Sequence, residues 1–389
     1  MKSVRALYAF LVLVSSLCSA QTYTVLYSFK AGPRGTFPVA GVTVDAQRRA
    51  LYGTTYADGQ FAVGTVFKFD QHGETVLHSF TGQTGDGEYP YGNDNLILDS
   101  AGNLFGATND GGIYNSKCGG FGCGVVFKVD QSGNETVLYQ FQGGQDGRTP
   151  QGSLAEDSAG NLYGMTLAGG ESGLGSVFKL DPLGNKTTLY SFTFSSGDVF
   201  QPYGGFVRDK AGNLYGSTYS GGAIGYGGIF KVDTAGNESV LYSFGMSDED
   251  GIPPCSDLTL DARGNIYGMT EDGGTNGFGT LFKISPSGKE TVLYSFGPLP
   301  DAQLPGFGGV ALDPATGSLY GVTVGGGTFG LGAVFKIDSA GNETVIHSFN
   351  GADGKVPYGT LTRDPQGNIY GTTSQGGAFG GGVIFRIKP

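Results

Sequence analysis

Two sets of regularly spaced aspartates are the residues of this sequence most able to do chemistry. Members of the first set open short turn-like segments of the type D-x-x-G-N; they are Asp45, Asp99, Asp157, Asp209, Asp261, Asp313 and Asp364. Paired carboxylates carry out glycoside hydrolysis in many enzymes. A catalytic pair should interrupt a repeating pattern, whereas these residues recur in every copy. Asp also begins tight turns by accepting backbone N–H bonds, so we interpret the first set as turn residues.

The second set stands four residues before a proline in a longer loop. Its members are Asp86, Asp146, Asp198, Asp250, Asp301 and Asp353, and the first copy has Arg34 instead. Two interpretations stay open for this set. One is turn chemistry, because Gly follows Asp in four of the six. The other is an acidic mouth that binds a polar ligand or a cation such as Ca²⁺. Tyr91, Tyr203 and Tyr358 follow the loop proline and could stack on sugar rings or peptide side chains.

Other catalytic signatures are weak. The three histidines, His72, His78 and His347, occupy positions within the repeat rather than a common motif. No G-x-S-x-G, H-E-x-x-H or P-loop pattern occurs in the sequence. Acidic residues that break the repeat, namely Glu171, Glu271 and Asp272, define the alternative of a carbohydrate-active enzyme, a hydrolase or a lyase. No catalytic residue and no cofactor is therefore assigned.

Cysteine usage predicts one local disulfide. Cys118 and Cys123 bracket the segment GGFG and could close a small loop in an oxidising compartment. No His lies nearby and the spacing matches no zinc pattern. Cys255 has no evident partner.

The elements that position these residues follow from an internal repeat. An LYG-type triplet recurs seven times, and its glycines are separated by 53, 58, 52, 52, 53 and 50 residues. Each copy also carries a VFK-type and a TVLYSF-type segment. These segments are short, rich in β-branched and aromatic residues, and bounded by Gly, Asn and Asp, so each copy predicts four strands. A period near 50 residues without a helical pattern indicates an all-β, seven-bladed β-propeller of 28 strands.

The connections predict a tight-turn face and a long-loop face. Two connections per copy are tight D-x-x-G-N turns, and the other two are long and Gly-rich. Successive antiparallel strands turn at alternate ends, so each kind shares one face. The second copy has a seven-residue insertion in a long loop, and it contains Cys118 and Cys123. Insertions collected on one face are typical of a binding face.

The two ends of the repeat suggest how the ring closes. The chain opens with a lone fourth strand, YTVLYSF (23–29), and ends with a third strand, GGVIFRI (381–387). The N-terminal strand should complete the last blade, which removes exposed edges. A ring with VLYSF innermost and no such closure fits the strand count equally well.

The first 20 residues have the character of a secretory signal. Lys2 and Arg5 precede a short apolar run, and cleavage is expected between Ala20 and Gln21. Residues 21–389 would then form one propeller domain. Removing the two basic residues changes the formal charge from −11 to −13. Such an acidic chain is a poor binder of nucleic acid, and no later segment is long and apolar enough to cross a membrane.

The repeat resembles the GloVer tandem repeat of bacterial surface proteins, on the unit D-x-x-G-N-L-Y-G-x-T-x-x-GG-x-x-G-x-G-x-VFK-x-D-x-x-G-N-E-T-V-L-Y-S-F. Its D-x-x-G-N-[LI]-Y core is also similar to NHL-type propeller repeats. The resemblance covers residues 22–389 and implies secretion, a β-propeller and a variable C-terminal anchor. No anchor follows the last strand, which favours a freely secreted or periplasmic protein. The sequence thus predicts a secreted binding or scaffold module that uses the long-loop face for a polysaccharide, peptide or protein. A carbohydrate-active enzyme and a structural cell-surface component are the alternatives.

Overall fold

The computed structural model describes residues 21–91 and 95–388; the expected signal segment, residues 1–20, lies outside this range. The protein is a ring of seven four-stranded antiparallel sheets. This confirms the predicted seven-bladed β-propeller. No helix in the described part of the chain has the length and apolar character needed to cross a membrane.

The strands are given by their position in the blade, from blade 1 to blade 7. The innermost strands are Thr43–Asp45, Ile97–Leu98, Arg148–Glu156, Val199–Arg208, Gly251–Pro254 with Thr259–Leu260, Ala302–Pro305 with Ala311–Leu312, and Thr362–Arg363. The second strands are Ala50–Thr55, Leu104–Thr108, Leu162–Ala168, Leu214–Gly221, Ile266–Gly273, Leu319–Gly326 and Ile369–Thr373. The third strands are Thr65–Asp70, Val125–Val129, Ser176–Leu180, Gly228–Val232, Thr280–Ile284, Ala333–Ile337 and Val383–Lys388. The outermost strands are Gly73–Ser79, Glu135–Gln140, Lys186–Ser191, Glu238–Ser243, Glu290–Ser295, Glu343–Ser348 and Thr22–Ser28.

Two short elements lie outside the blades. A two-stranded sheet pairs Gly87–Glu88 with Asp110–Gly111, and a single 3-10 turn spans Gly144–Asp146. Both belong to the long loops around the insertion in the second copy.

The N-terminal strand closes the ring. Thr22–Ser28 pairs antiparallel with Val383–Lys388, and this pairing supplies the outermost strand of blade 7. The alternative ring without closure is therefore excluded. The first strand of each copy is innermost, since inner strands of adjacent blades touch: Thr362 Oγ1 donates to the Val42 carbonyl at 2.6 Å.

The core explains why the triplets recur. In all seven blades the VFK phenylalanine packs edge-on against the LYSF phenylalanine of the preceding blade, with ring centroids 4.9–5.5 Å apart; Phe141 and Phe178 are one such pair. The LYG glycine lies under the VFK ring. A Cβ at Gly106 would stand 2.6 Å from Cζ of Phe127. Only glycine therefore allows this ring to lie across its own sheet.

Candidate functional site: the channel mouth

The loops that lead into the innermost strands are held in a strained conformation on the long-loop face. The residue before the loop proline has a φ of +50° to +58° in six copies: Phe37, Tyr89, Thr149, Gln201, Leu304 and Val356. This region is unfavourable for residues other than glycine. Each of these N–H groups donates to a carbonyl of the preceding blade, as Gln201 does to Leu174 at 3.0 Å. The neighbouring blade therefore fixes the loops, and such strain is typical of functional surfaces.

The residues that follow these prolines meet around the channel axis. Tyr203 of blade 4 lies 5.5 Å from Phe307 of blade 6, centroid to centroid, and Phe307 stacks on Tyr358 of blade 7 at 5.8 Å. Tyr91 lies 5.3 Å from Tyr56. Burial raises the pKa of Tyr91, and the neighbouring phenol of Tyr358 raises it further. The structure thus places Tyr91, Tyr203 and Tyr358 together, in an aromatic mouth that Phe307 completes.

A cleft of about 600 Å³ opens beside this aromatic mouth. Blades 3 to 6 supply its walls: Arg148, Leu167, Ala168, Gly173, Gln201, Tyr203, Tyr219, Glu271 and Phe307. Tyr219 packs edge-on against Tyr203 at 6.0 Å and is 45% exposed. The cleft therefore combines aromatic faces with an acidic, a basic and an amide side chain.

The acidic group of this cleft is half-buried. Burial raises the pKa of Glu271, and the adjacent carboxylate of Asp272 raises it further. Burial also raises the pKa of Tyr219, with a contribution from Glu271. Asp272 is exposed and does not line the cleft. Among the described lining residues Glu271 is the only carboxylate, which is half of the pair that glycoside hydrolysis needs.

Beneath the mouth, the innermost strands fill the axis. Asp257 of blade 5 is 5% exposed and accepts a hydrogen bond from Thr360 Oγ1 of blade 7. Gly205 and Gly309, on the flanking blades, leave room for Asp257, because a Cβ at Gly205 would lie 2.5 Å from its Cα. Polar side chains of blades 5 and 7 therefore meet beneath the mouth.

The insertion of the second copy adjoins the cleft. Cys118 and Cys123 form a disulfide, and both are buried. The Cys123 carbonyl accepts the N–H of Thr149 at 2.9 Å, next to Arg148 of the cleft wall. Within the insertion, Tyr114 donates to the Glu88 carboxylate at 2.6 Å. The insertion thus braces one wall of the cleft.

The second aspartate set lies elsewhere, at the outer edge between blades. Four of its members accept a hydrogen bond from the tyrosine of an LYSF segment, at 2.7–3.1 Å: Asp146, Asp198, Asp250 and Asp301. They also accept loop N–H groups, as Asp301 does from Gly297. Asp86 and Asp353 face a histidine at the same position. The structure does not bring the six carboxylates together at the channel mouth.

The first aspartate set begins tight turns on the opposite face. Asp157 accepts the Asn161 N–H at 3.0 Å and its side-chain amide at 2.8 Å, and it also accepts the Tyr163 hydroxyl. Burial opposes ionisation of Asp157, but these hydrogen bonds outweigh it and lower its pKa to about 2. Six other turns repeat this use of the carboxylate, with Arg48 supplying an ion pair to Asp45.

Two larger clefts on the tight-turn face, about 890 and 870 Å³, lie between blades 7 and 1 and beside blades 4 and 5. Their walls are repeat positions, and their aspartates are committed to their own turns. Both clefts are lined by tight-turn residues and the strands that flank them, whereas the mouth residues differ from copy to copy.

Sequence reasoning missed Phe307, Tyr219 and Gln201. Phe307 stands one residue later than the tyrosines, because Gly306 lengthens its loop by one residue. Aligning the loops on the innermost strand rather than on the proline would have found it. Glu171 lies on an exposed loop and does not line the cleft.

The architecture defines this protein as a seven-bladed β-propeller closed by its N-terminal strand. The chain belongs to the Gloeobacter/Verrucomicrobia repeat family, whose model matches residues 115–264 and 301–389. This confirms the GloVer resemblance of the sequence.

Solved structures of low sequence identity share the fold. Streptogramin B lyase superposes with a TM-score of 0.61 at 15% identity, over 95% of this chain and 97% of the lyase. The extracellular domains of the one-component system BT4673 and the hybrid two-component system BT3049 of B. thetaiotaomicron each give 0.58 at 13% identity, over 94% and 95% of this chain. This chain spans only 40% and 41% of those two proteins. No protein with a curated functional description matches the sequence.

Proposed function

We propose that this protein is an exported binding module that holds a polysaccharide at the channel mouth. The observation that carries the proposal is the cleft in which Tyr203, Tyr219 and Phe307 stand beside Arg148 and Glu271. Aromatic faces stack on the apolar faces of sugar rings, and a few charged or amide groups then orient the hydroxyls.

The distribution of exposed apolar side chains supports the choice of face. Of fourteen large hydrophobic side chains that are exposed in the described residues, thirteen lie on the long-loop face, and only Leu183 lies in a tight turn. Several stand on the long-loop tips of different blades, for example Phe121, Phe329 and Phe379. Exposed apolar surface collected on one side is typical of an interaction surface.

Export is part of the proposal. It is supported by the N-terminal segment, with its basic start and short apolar run, and by the Cys118–Cys123 disulfide, which suits an oxidising compartment. Sequencing the N-terminus of the protein recovered from the periplasm or the medium should give a chain that begins at Gln21. Recovery of a chain that retains Met1 in the cytoplasm would contradict export.

The binding proposal is tested by comparing two tyrosines of blade 4. Tyr219 lines the cleft and is 45% exposed, whereas Tyr226 is 47% exposed on the same face and does not line it. The mature protein is titrated with soluble polysaccharides and with peptidoglycan fragments by calorimetry. Tyr219→Ala should weaken binding about tenfold, because a lost stacking contact is worth about 1 kcal/mol or somewhat more. Tyr226→Ala should bind as the wild type does.

Three outcomes would contradict the proposal in different ways. An equal loss of affinity in Tyr219→Ala and Tyr226→Ala would show that the ligand does not bind at the mouth. Binding of peptides but of no glycan would overturn the ligand class. Release of new reducing ends from a bound glycan would show that the protein is an enzyme, and Glu271→Gln would then identify its acid.

A further inference from the structure

Three positions meet at the outer edge of every blade interface. They are the aromatic or histidine residue before Ser-Phe or Gln-Phe in the LYSF-type segment, the residue four before the loop proline, and the residue six before the LYSF-type phenylalanine of the next blade. We call this group the edge triad. In the interface between blades 4 and 5 it consists of Tyr242, Asp250 and Glu290, and Tyr242 donates to Asp250 at 3.0 Å.

At two interfaces a positively charged residue replaces one acidic residue of the edge triad. Between blades 2 and 3, Lys186 stands at the Glu position and donates to Asp146 at 3.0 Å. Between blades 7 and 1, Arg34 stands at the Asp position and lies 3.4 Å from Glu74. At each of these two interfaces a positively charged side chain therefore pairs with the acidic residue that remains in the edge triad.

The interface between blades 1 and 2 keeps both acids and replaces the tyrosine by His78. The Nε2 atom of His78 lies 3.8 Å from Oδ1 of Asp86 and 3.8 Å from Oε2 of Glu135. Neither separation is a hydrogen bond. The three side chains are only 17%, 16% and 12% exposed. Both His78 Nε2 and Glu135 Oε1 are buried without a hydrogen-bond partner.

The aspartate of this triad is already oriented. Oδ2 of Asp86 accepts the N–H and the hydroxyl of Thr81 at 2.7 and 2.6 Å, and Oδ1 accepts the N–H of Gly87 at 2.7 Å. Such outer hydrogen bonds hold a ligating carboxylate in place in metal sites. The ring of His78 packs edge-on against Phe80 at 4.9 Å, which restricts its rotation.

We propose that His78, Asp86 and Glu135 bind one divalent transition-metal ion, of which Zn²⁺ is the representative, between blades 1 and 2. One atom from each residue lies within 4.8 Å of the other two, and no other group of three such potential ligands occurs among residues 21–91 and 95–388. Ligand atoms 3.8 Å apart can both reach an ion at about 2.0–2.2 Å. An imidazole nitrogen with two carboxylates suits zinc, manganese or cobalt better than the all-oxygen preference of calcium.

The second histidine interface lacks the third ligand. His347 lies 3.1 Å from Asp353, but Tyr23 stands at the Glu position and stacks on the imidazole at 3.7 Å. Tyr23 donates instead to the Asp353 carbonyl at 2.7 Å. Only the interface between blades 1 and 2 therefore offers three ligands, and the bound ion would join the two blades as Lys186 does elsewhere.

His78→Tyr is the decisive variant. It recreates the tyrosine that four other interfaces carry in hydrogen bond to an aspartate, so its fold should be retained. Untagged, chelator-treated protein is titrated with Co²⁺ under visible absorption and with Zn²⁺ under thermal unfolding. The wild type should bind one Co²⁺ per chain with a d–d band, and saturating Zn²⁺ should raise its Tm by several degrees. His78→Tyr should show neither response.

His72→Ala is the matched control, because His72 lies in an exposed turn. It should respond to both metals as the wild type does. A wild type without saturable binding, or a His78→Tyr variant that binds as well as the wild type, would overturn the proposal. Loss of the metal response in His72→Ala alone would also overturn it, since the ion would then bind at the exposed turn.

Discussion

Phe29 provides the most direct test of ring closure. It directly follows the N-terminal strand of blade 7, has no exposed surface, and packs edge-on against Phe67 of blade 1 with ring centroids 5.3 Å apart. If the strand closes the ring in solution, Phe29 is a core residue although it lies near the start of the mature chain. Phe29→Ala should then destabilise the protein by about 3–5 kcal/mol, the usual cost of removing a buried phenylalanine ring.

The expected change in Tm follows from the size of the fold. At about 2.1 cal/mol/K per residue, a chain of roughly 370 ordered residues has an unfolding entropy of about 0.8 kcal/mol/K. A loss of 3–5 kcal/mol therefore lowers the Tm by about 4–6 °C, measured by circular dichroism or calorimetry. Phe192→Ala is the matched control, because Phe192 has the same place in blade 3, no exposed surface, and a centroid distance of 5.1 Å to Phe230.

Both variants should therefore lose similar stability. A Phe29→Ala protein within about 1 kcal/mol of the wild type, beside a strongly destabilised Phe192→Ala, would refute the closure. Destabilisation of both variants by less than 1 kcal/mol would instead refute the packing role assigned to the whole series of phenylalanines.

Two further predictions concern charge and backbone strain. Burial, and then the charge of Asp250, raises the pKa of Glu290 from 4.5 to about 7, so its contribution to stability is complete below pH 4.5 and is lost as the pH rises through 7. That rise corresponds to about 3 kcal/mol at most, reduced by partial solvent exposure to about 1 kcal/mol. The Tm should be lower at pH 8 than at pH 5. Burial raises the pKa of Glu135, Glu238 and Glu343 to about 7 as well, so Glu290→Gln should remove only its own share of this pH dependence. A variant with an unchanged pH dependence would contradict the assignment. Leu304 is 39% exposed and has a φ of +52°, so Leu304→Gly should be more stable than Leu304→Ala by about 0.5–1 kcal/mol in denaturant unfolding, the reverse of the usual order in a strand. An Ala variant more stable than the Gly variant would show that the loop relaxes.

The repeat made the architecture predictable from sequence. The four strands of a blade and the role of Asp99 in a tight turn follow from the pattern within one copy, because neighbouring residues set turns and strands. The number of blades follows from counting the seven copies. The closing strand was predictable for a different reason. The chain ends with a third strand that lacks its fourth and begins with a lone fourth strand, so together they complete one blade.

The edge triad was not predictable in the same way. Tyr242, Asp250 and Glu290 come from one outermost strand, a loop and the next outermost strand, and only the packing of blades brings them together. Nothing in the sequence indicated the tyrosine that pairs with four of the aspartates, because the tyrosine of an LYSF segment has the pattern of an ordinary strand residue. The aspartates of the second set lie at the outer edge and not at the channel mouth, because the long loop that carries them starts at the outermost strand of a blade.

The aromatic mouth was predicted in part. Tyr91, Tyr203 and Tyr358 share the position after the loop proline, and the structure brings the three side chains together at the mouth. Phe307 escaped because one inserted glycine shifts it. The left-handed residues before proline were also not foreseen, since local preferences disfavour them and only hydrogen bonds to the preceding blade maintain them.

The closing strand also bears on how the molecule folds. Thr22 pairs with Lys388, so the first strand to emerge finds its partner only after the rest of the chain is available. Until Val383–Lys388 is available, the early strand has no sheet to join, and until the two strands pair, Val383–Lys388 has an unpaired edge. Contacts between chain ends form slowly because loop closure is entropically costly. The last step of folding should therefore be the docking of blade 7, and intermediates should present a β-edge that invites pairing between chains.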